Sequence, residues 1–257
     1  MNDMLIATWN VNSIRVRMPQ LADWLKRANP DVVCLQEIKC ETQDFPFEAL
    51  GELGYEAAAY GQRTYNGVAI LSRLPIENPV QGFAGEEGQS RLIEATIAGI
   101  QILSVYVPNG QAAGSDKFAY KLRFLKALRE HLDGLGRCTL PLVIAGDFNI
   151  APEARDVWDA RKLAGEIGFH PDEHKALKHV TDWGLLDSFR LHDQRAGQFS
   201  WWDYRGFGFG KDRGMRIDQL WISRALEKQC TSAHIDLEPR KLEKPSDHTP
   251  VICEIRQ

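Results

Sequence analysis

The residues with the clearest chemical potential follow a short apolar run near the middle of the chain. Val143-Ile144-Ala145 leads into Gly146, and a carboxylate at Asp147 and an amide at Asn149 come next. Because side chains alternate in direction along an extended chain, Asp147 and Asn149 point to the same side if the strand continues this far. The pattern predicts a buried strand that presents polar ligands at its end. An Asx turn after an ordinary strand fits the same residues, so this segment alone leaves both interpretations open.

Other polar side chains also stand at the exits of predicted strands. The full set is Asn10, Glu37, Tyr106, Asp147, Asn149, Asp218, Asp247 and His248. Considered singly, Glu37 also fits an edge carboxylate that faces water, and Asp218 also fits a half-exposed strand. Considered together, the set supplies oxygen donors and one imidazole, which suit Mg²⁺ or Mn²⁺ better than zinc.

An adjacent carboxylate and imidazole, Asp247 and His248, lie between Pro245 and Pro250. Proline restricts its own backbone and that of the residue before it, so the orientation of the pair is set before any ligand binds. An ordinary loop pair is the alternative interpretation. The two prolines favour a preorganised site.

The segment Ser200–Arg213 combines aromatic residues, glycines and cations. Core packing is expected for at least one of Trp201 and Trp202, because aromatic side chains supply much of a protein core. The Gly206–Gly210 loop, which follows Arg205, suits insertion into a groove or stacking on an exposed sugar or base. Scattered cations are usually only solvated, but four could extend a track for phosphates: Arg63, Arg91, Lys117 and Lys121.

The elements that position these residues are predicted from periodicity. Continuous apolar runs suit strands that are covered on both faces. Pro19 is expected in the first turn of a helix that ends at Asn29-Pro30, and Phe118–Leu132 has the spacing of a long amphipathic helix. The polar region Glu153–His179 is expected to be helical. Besides the strand that begins at Val143, strands are predicted at Met4–Trp9, Asp31–Glu37, Gly67–Leu71, Leu92–Ile97, Gln101–Val107, Phe199–Tyr204, Met215–Ser223, Ala233–Leu237 and Pro250–Ile255.

Strands outnumber strong helices, and the two are interleaved from end to end. This pattern favours an α/β (α+β) sandwich with mixed sheets. No linker, charge block or low-complexity tract divides the sequence, so one domain is predicted for residues 1–257. A short echo between Asn10-x-Asn12 and Asp147-x-Asn149 hints at internal duplication, although two brief matches prove little.

Composition excludes several classes of protein. A hydrophobic content of 44% with 26% charged residues is typical of a soluble globular protein. No apolar run approaches the ~18 residues of a membrane span, and no signal peptide is indicated, so a cytoplasmic location is expected. The five cysteines are odd in number and lack CxxC spacing, which argues against disulfides and zinc. The formal charge of −4 means that any binding of nucleic acid depends on local basic patches.

Eight ordered motifs resemble the exonuclease III family of abasic-site endonucleases over essentially the whole chain. They are Trp9-Asn10-Val11-Asn12, Leu35-Gln36-Glu37-Ile38-Lys39, Asn66-Gly67-Val68-Ala69, Tyr106-Val107-Pro108-Asn109-Gly110, Gly146-Asp147-Phe148-Asn149, Ser200-Trp201-Trp202-Asp203-Tyr204-Arg205, Arg216-Ile217-Asp218 and Pro245-Ser246-Asp247-His248. The resemblance implies a DNase-I-like fold, which is a four-layer α/β sandwich with two mixed, mainly antiparallel sheets flanked by helices.

The resemblance also implies roles for individual residues. Glu37 is the principal Mg²⁺ ligand, and the other implied metal ligands are Asn10, Asp147, Asn149, Asp247 and His248. His248, oriented by Asp218, contacts the scissile phosphate or the attacking water, while Asp147 handles protons. Asn149 and Tyr106 stabilise charge on the phosphoryl group. The implied substrate-binding residues are Arg91, Asn109, Trp201, Trp202 and Arg205.

The function implied is a Mg²⁺-dependent DNA repair nuclease, in which Mn²⁺ can substitute for Mg²⁺. It would cleave double-stranded DNA 5′ to abasic sites and at 3′ ends, as a monomer without membrane contact. Hydrolysis of a phosphodiester needs a cation, an in-line water and a means of protonating the leaving oxygen, and these residue types supply all three. A phosphatase of inositol phosphates or lipids uses similar machinery, and a catalytically silent binding module is the third class.

The chain departs from the family at a few positions. Asn109 stands where many relatives carry Gln, Phe148 where others carry Met, Tyr or Leu, and Trp202 where Phe is common. His170 lies in a region that differs among relatives with different activities. These differences could alter the preference for an abasic sugar over a normal 3′ nucleotide.

Overall fold

The structure is a computed structural model that describes residues 3–86, 88–136 and 138–257. Its strands, in chain order, are β1 (Met4–Asn10), β2 (Val32–Gln36), β3 (Glu56–Tyr60), β4 (Val68–Ser72), β5 (Glu77–Gln81), β6 (Leu92–Ile97), β7 (Ile100–Tyr106), β8 (Leu142–Asp147), β9 (Leu185–Asp187), β10 (Trp201–Trp202), β11 (Gly214–Met215), β12 (Asp218–Ser223), β13 (Cys230–Ile235) and β14 (Val251–Ile255). Its α-helices are α1 (Ile14–Ala28), α2 (Phe47–Gly51), α3 (Asp116–Leu135), α4 (Ala160–Leu163), α5 (Pro171–Thr181) and α6 (Ser188–His192).

Two six-stranded sheets form the centre of the molecule. The first has the order β13-β14-β1-β2-β4-β3 and the second has the order β5-β6-β7-β8-β12-β9. In each sheet one central pair is parallel, β1 with β2 and β7 with β8, and the other pairs are antiparallel. A parallel pair needs a crossover connection, and α1 and α3 supply it. The pairing around β1 therefore repeats around β8.

Apolar side chains occupy three successive interfaces. The inner faces of the two sheets share one core, in which Ile6 and Cys34 pack with Ile102 and Val143. A second core joins the first sheet to α1 through Trp24 and Leu25, and a third joins the second sheet to α3 and α5. These interfaces confirm the predicted four-layer sandwich. Within the described residues no helix is long and apolar enough to cross a membrane.

The strand pairing brings the predicted site residues to one edge of both sheets. Asn10 and Asp147 end β1 and β8, while Tyr106 ends β7 and Glu37 directly follows β2. Asp218 begins β12, which runs antiparallel to β8. Because parallel neighbours end at the edge where an antiparallel neighbour begins, the topology itself gathers these side chains.

The sequence predicted most of the strands and the long helix α3. Leu92–Ile97 coincides with β6, and the strands predicted to begin at Met4, Asp31, Gly67, Gln101, Val143 and Pro250 differ from the observed bounds by one residue at one or both ends. The strand predicted at Ala233–Leu237 begins three residues after the start of β13. Their continuous burial explains the success, because β2, β4 and β8 are buried at every position. The uninterrupted apolar pattern was therefore sufficient to find them.

Several expectations about elements were wrong. Pro19 lies inside α1, which begins five residues earlier at Ile14. The strand expected at Phe199–Tyr204 contracts to the two residues of β10, and the strand expected at Met215–Ser223 is divided into β11 and β12. In the region Glu153–His179 only α4, α5 and a single 3₁₀ turn are helical. The strands β3, β5 and β9 were not predicted.

Candidate active site

Asp147 stands at the centre of the polar edge because its two neighbours on the same rung are polar. It pairs with Tyr106 across the parallel β7 and with Asp218 across the antiparallel β12. The residue before it must be glycine for steric reasons, since a Cβ on Gly146 would lie 1.9 Å from the carbonyl oxygen of Val105. Close approach of β7 thus accounts for the Gly-Asp sequence.

Asn10 links the two acidic side chains across the sheets. Its Nδ2 donates to Glu37 Oε1 at 2.8 Å and to Asp147 Oδ2 at 2.9 Å. Glu37 follows β2 in the left-handed conformation, with φ of 49°. Its Oε2 forms an ion pair with Lys39 Nζ at 2.8 Å. Asn10 is completely buried, so the amide holds both carboxylates at fixed positions.

His248 and Asp218 form a second buried pair on the other side of Asp147. The Nδ1 of His248 lies 2.9 and 3.1 Å from the two oxygens of Asp218, and its Nε2 lies 3.8 Å from Asp147 Oδ2. Ser246 anchors the loop, because its hydroxyl donates to the Asn10 carbonyl and accepts from the backbone amide of His248. The imidazole is therefore directed at Asp147.

Electrostatics separate the protonation behaviour of these groups. Burial lowers the pKa of His248, but the carboxylates of Asp218 and Asp147 outweigh it and raise that pKa to about 10. Burial raises the pKa of Asp147 to about 7, against the lowering effect of His248. The neighbouring carboxylates thus favour the cationic form of the imidazole at neutral pH, whereas burial favours the protonated form of Asp147.

Asn149 fixes the orientation of the Asp147 carboxylate. The backbone amide of Asn149 donates to Asp147 Oδ1 at 2.8 Å, and its Nδ2 donates to the Val107 carbonyl at 2.9 Å and to Asp147 Oδ2 at 3.3 Å. Its Oδ1 accepts a hydrogen bond from Asn109 Nδ2 at 3.0 Å. Asn149 adopts a left-handed backbone with φ of 52°, a conformation that asparagine tolerates better than most residues.

Three of the predicted metal ligands lie together. Ligand atoms of Glu37, Asp147 and His248 all lie within 4.8 Å of one another. The two carboxylates provide the hard oxygen ligands that divalent cations prefer, so these residues fit such an ion. Asn10 faces them with its Nδ2 and therefore orients the carboxylates. Asp247 instead accepts from Asn12 Nδ2 and Trp201 Nε1, at 2.9 and 3.1 Å.

Tyr106 and Arg91 form one wall beside the acidic groups. Burial raises the pKa of Tyr106 well above its usual value, and Glu37 and Asp147 raise it further. The phenol therefore stays neutral and can donate a hydrogen bond. The Arg91 guanidinium lies 4.8 Å from the centre of the Tyr106 ring and donates to the Tyr106 carbonyl.

The site opens into a cavity of about 270 Å³. One wall contains the ionisable residues Glu37, Asp147 and His248, and another contains the apolar residues Trp201, Met215 and Ile217. A neighbouring cavity of about 520 Å³ shares Tyr106 and Asn109 with the first. The second cavity is also lined by the cations Arg91 and Lys117.

The remaining predicted substrate contacts occupy different surroundings. Trp201 lines the smaller cavity, whereas Trp202 is 2% exposed and packs against Phe209 at a ring distance of 5.0 Å. The Arg205 side chain is 91% exposed, beside Asp203. Lys121 does not extend a phosphate track as expected, because it is fully buried in an ion pair.

Sequence reasoning did not identify several residues that hold the site together. Lys39 Nζ donates to Asn12 Oδ1, and Asn12 in turn donates to Asp247. Ser200 Oγ accepts from the backbone amides of Ile217 and Asp218. The signal was available in part, since Asn12, Lys39 and Ser200 lie inside the quoted motifs, but their partners come from distant segments.

The sequence pattern of the Endonuclease/Exonuclease/phosphatase family matches residues 7–248. The chain is 35% identical to exodeoxyribonuclease III of Haemophilus influenzae, covering 98% of this chain and all of that protein. It is 30% identical to the DNA repair nuclease APEX1 of Danio rerio, covering 97% of this chain and 81% of the relative.

Solved structures give the same result for the fold. The 3′-5′ exonuclease NExo of Neisseria meningitidis superimposes with a TM-score of 0.95 at 40% identity, over 99% of this chain and 100% of that chain. An AP endonuclease of Archaeoglobus fulgidus superimposes with a TM-score of 0.94 at 36% identity, over 98% and 99% of the two chains. The predicted DNase-I-like architecture is thereby confirmed.

Proposed function

Because the chain belongs to the Endonuclease/Exonuclease/phosphatase family, we propose that it is a Mg²⁺-dependent DNA repair nuclease. It is a nuclease similar to exodeoxyribonuclease III and to the AP endonuclease of Archaeoglobus fulgidus. Its proposed substrates are double-stranded DNA with an abasic site, which it cleaves on the 5′ side, and duplex DNA with a 3′ end. One observation carries the proposal, namely that Asp147 lies between the Asn10–Glu37 pair and the Asp218–His248 pair.

Glu37 and Asp147 would hold the metal. His248 lies beside them, but as an imidazolium it offers no free ring nitrogen as a ligand. The bound cation would neutralise negative charge that grows on the phosphate oxygens. Asn10 keeps the two carboxylates apart and correctly oriented, because it donates one hydrogen bond to each. Asp247 takes a positioning role, because it does not belong to the group of ligand atoms that lie within 4.8 Å of one another. Asn149 takes a positioning role because it holds both oxygens of the Asp147 carboxylate.

The proton chemistry belongs to Asp147. Burial raises its pKa in the metal-free protein, which suits a carboxylate that accepts a proton from a water molecule or returns one to the departing oxygen. The His248 imidazolium, held by Asp218, faces the phosphate and balances its charge. The neutral Tyr106 phenol donates a hydrogen bond from the opposite wall, so that no covalent intermediate with the enzyme is required.

The shape of the cavities supports an abasic substrate. The smaller cavity has an apolar wall of Trp201, Met215 and Ile217 beside the acidic residues, which suits a sugar that carries no base. The larger cavity continues from Tyr106 and Asn109 towards Arg91 and Lys117. Cations that line a cavity next to the reaction site suit neighbouring phosphates of the same strand.

The proposal is tested by measuring cleavage of three DNA substrates in Mg²⁺. They are a duplex with one abasic site, a duplex with a recessed 3′ end and an intact blunt duplex of the same sequence. We expect incision 5′ to the abasic site and shortening of the recessed end, and loss of both in Asp147→Asn. Asp182→Asn, at the exposed position that directly follows α5, is the matched control. Inert DNA together with hydrolysis of a soluble inositol phosphate would reject the proposal.

The solution state and location are proposed from the sequence alone. A monomer in the cytoplasm is the prediction. Light scattering on the purified protein, with and without duplex DNA, measures the mass and tests the first part. A mass of two chains without DNA would contradict it.

A further inference from the structure

Three consecutive backbone carbonyls follow the catalytic strand, and a side chain from a different element holds each of them. Lys121 of α3 donates to the carbonyl of Asn149 at 2.8 Å. Gln219 of β12 donates to that of Ile150 at 2.6 Å, and His174 Nε2 of α5 lies 2.9 Å from that of Ala151. Since a carbonyl only accepts, Nε2 of His174 carries the proton.

Lys121 uses all three of its ammonium protons. Besides the Asn149 carbonyl, it donates to the Asn109 carbonyl at 3.1 Å and to Glu173 Oε1 at 2.5 Å. Both Lys121 and Glu173 are fully buried. Replacing both members of a buried ion pair by apolar residues is often neutral for stability, whereas removing one member leaves a buried charge without a partner. The two remaining hydrogen bonds of Lys121 go to backbone carbonyls of residues that line the smaller cavity, so the cation also fixes the backbone beside the site.

The two carbonyls belong to residues that face the cavity and bond to each other. Asn109 Nδ2 donates to Asn149 Oδ1, and both residues line the smaller cavity. Asn149 in turn holds both oxygens of Asp147. A shift of the Asn149 backbone would consequently rotate the Asp147 carboxylate.

His174 secures the other end of the same segment. Its ring packs against Phe169 with centroids 4.8 Å apart, and the Ala151 amide donates to the Gly168 carbonyl at 2.8 Å. Gly168 lines the smaller cavity. The first turn of α5 thus connects the Asn149–Ala151 segment to the cavity wall.

We propose that Lys121 and His174 are positioning residues for the hydrolysis, although neither lines the smaller cavity. They hold the backbone of Asn149–Ala151 and Asn109, and thereby the orientation of the Asp147 carboxylate. This inference rests on the proposed function, because it concerns the same reaction at the same site. A purely structural role is the competing explanation.

The test compares steady-state kinetics of three variants on the abasic duplex, well below their melting temperatures. In Lys121→Met we expect kcat to fall about 100-fold, with a nearly unchanged KM, as a displacement of about 1 Å can cause. In His174→Phe, which keeps the packing on Phe169, we expect a smaller decrease of about tenfold. Leu132→Ala removes a buried side chain from the distal end of the same helix, so its melting temperature should fall while kcat stays at the wild-type value.

Each outcome has one meaning. Suppose that the wild type cleaves the abasic duplex and that folded Lys121→Met has the same kcat. This result would overturn the inference and leave the proposed function intact. Equal losses of kcat in Lys121→Met and Leu132→Ala would also overturn it, because stability alone would explain them. If Lys121→Met does not fold, His174→Phe decides, and an unchanged kcat there rejects the inference. An inactive wild type would instead reject the proposed function.

Discussion

In the proposed reaction, Asp147 is the residue on which the chemistry depends. Asn10 and Asn149 donate to it, and the His248 imidazole lies 3.8 Å away. Burial and the neighbouring Asp218 raise its pKa, while the proximity of His248 lowers it, with a net value of about 7. Desolvation and opposite charge thus oppose each other at one carboxyl group, and this balance suits a group that exchanges protons at neutral pH.

Residue types were predictable at this scale, but side-chain partners were not. The motifs indicated Asp147, Asp218 and His248 correctly as neighbours in the fold. Nothing in the sequence shows that Asn12 and Trp201 engage the Asp247 carboxylate, since those contacts join segments 235 and 46 residues apart. The tertiary structure determines which donors a carboxylate meets.

Replacing Asp218 by Asn tests the charge balance around His248. Asp218 is the largest of the groups that raise the pKa of His248, so its neutralisation should lower that pKa towards neutrality. We expect a fall in kcat of about 100-fold or more, the usual scale for a misplaced proton-handling group. NMR titration of the His248 ring in metal-free protein, together with kcat, makes the measurement.

The wild-type imidazole should stay protonated at pH 8, and that of Asp218→Asn should not. Asp182→Asn provides the control for loss of a surface carboxylate. An unchanged titration of His248 in Asp218→Asn would contradict the assigned interaction. Because the folded-state pKa is raised above 6.5 to about 10, the stabilisation that this histidine provides is complete below about pH 6.5 and disappears as the pH rises to about 10.

At the scale of elements, the ends of strands determine the site. β1 and β8 each have one parallel and one antiparallel neighbour, so Asn10 and Asp147 reach equivalent places in the two sheets. Periodicity predicted these strands because they are buried on both faces. It missed β5, which is exposed at every position and contains Pro79, and β9, which has only three residues.

The turn between β5 and β6 contains a buried carboxyl group that should make stability depend on pH. Glu86 accepts hydrogen bonds from the backbone amides of Arg91 and Leu92. Burial raises its pKa from 4.5 to about 7, although those backbone bonds lower it. Since the folded state binds the proton more tightly than the unfolded state, this group favours folding most at low pH. Its contribution falls as the pH rises from about 4.5 to about 7.

Glu86→Gln keeps the acceptor oxygen and removes the titration. Urea denaturation of both proteins at pH 5 and pH 8 gives the free energies of unfolding. The decrease between the two pH values should be smaller in Glu86→Gln than in the wild type, by up to about 3 kcal/mol. Identical decreases in the two proteins would show that Glu86 is not the group responsible.

At the scale of the whole molecule, the net charge of −4 opposes a polyanionic partner. The proposed binding of DNA would therefore depend on local cations such as Lys117, which lines the larger cavity, and Arg205, which is 91% exposed. The motifs showed the family and the four layers from the sequence alone. The positions of the cations around the cavities could not be predicted without the fold. The assignment of residues 1–257 to one domain is still a prediction.

The salt dependence of DNA affinity tests this distribution. Each phosphate contact contributes a slope of about −0.9 to a plot of log affinity against log salt concentration. The double variant Lys117→Ala and Arg205→Ala should therefore lose about 2 units of slope. Fluorescence anisotropy with Ca²⁺ in place of Mg²⁺ makes the measurement. Arg224→Ala with Lys228→Ala, beyond the opposite end of β12, is the control, and equal slopes in both double variants would contradict the proposed contacts.

The most direct test of the central claim is the rate of cleavage of an abasic duplex as the Mg²⁺ concentration is varied. Wild-type protein treated with EDTA should be inactive and should regain its rate when Mg²⁺ is added. The maximal rate of Glu37→Gln should be at least about 100-fold lower than that of the wild type, because a neutral amide replaces a carboxylate ligand. The variant should also require more Mg²⁺ to reach that rate. Full activity in EDTA, or a wild-type Mg²⁺ dependence in Glu37→Gln, would contradict metal-assisted hydrolysis at the Glu37–Asp147 site.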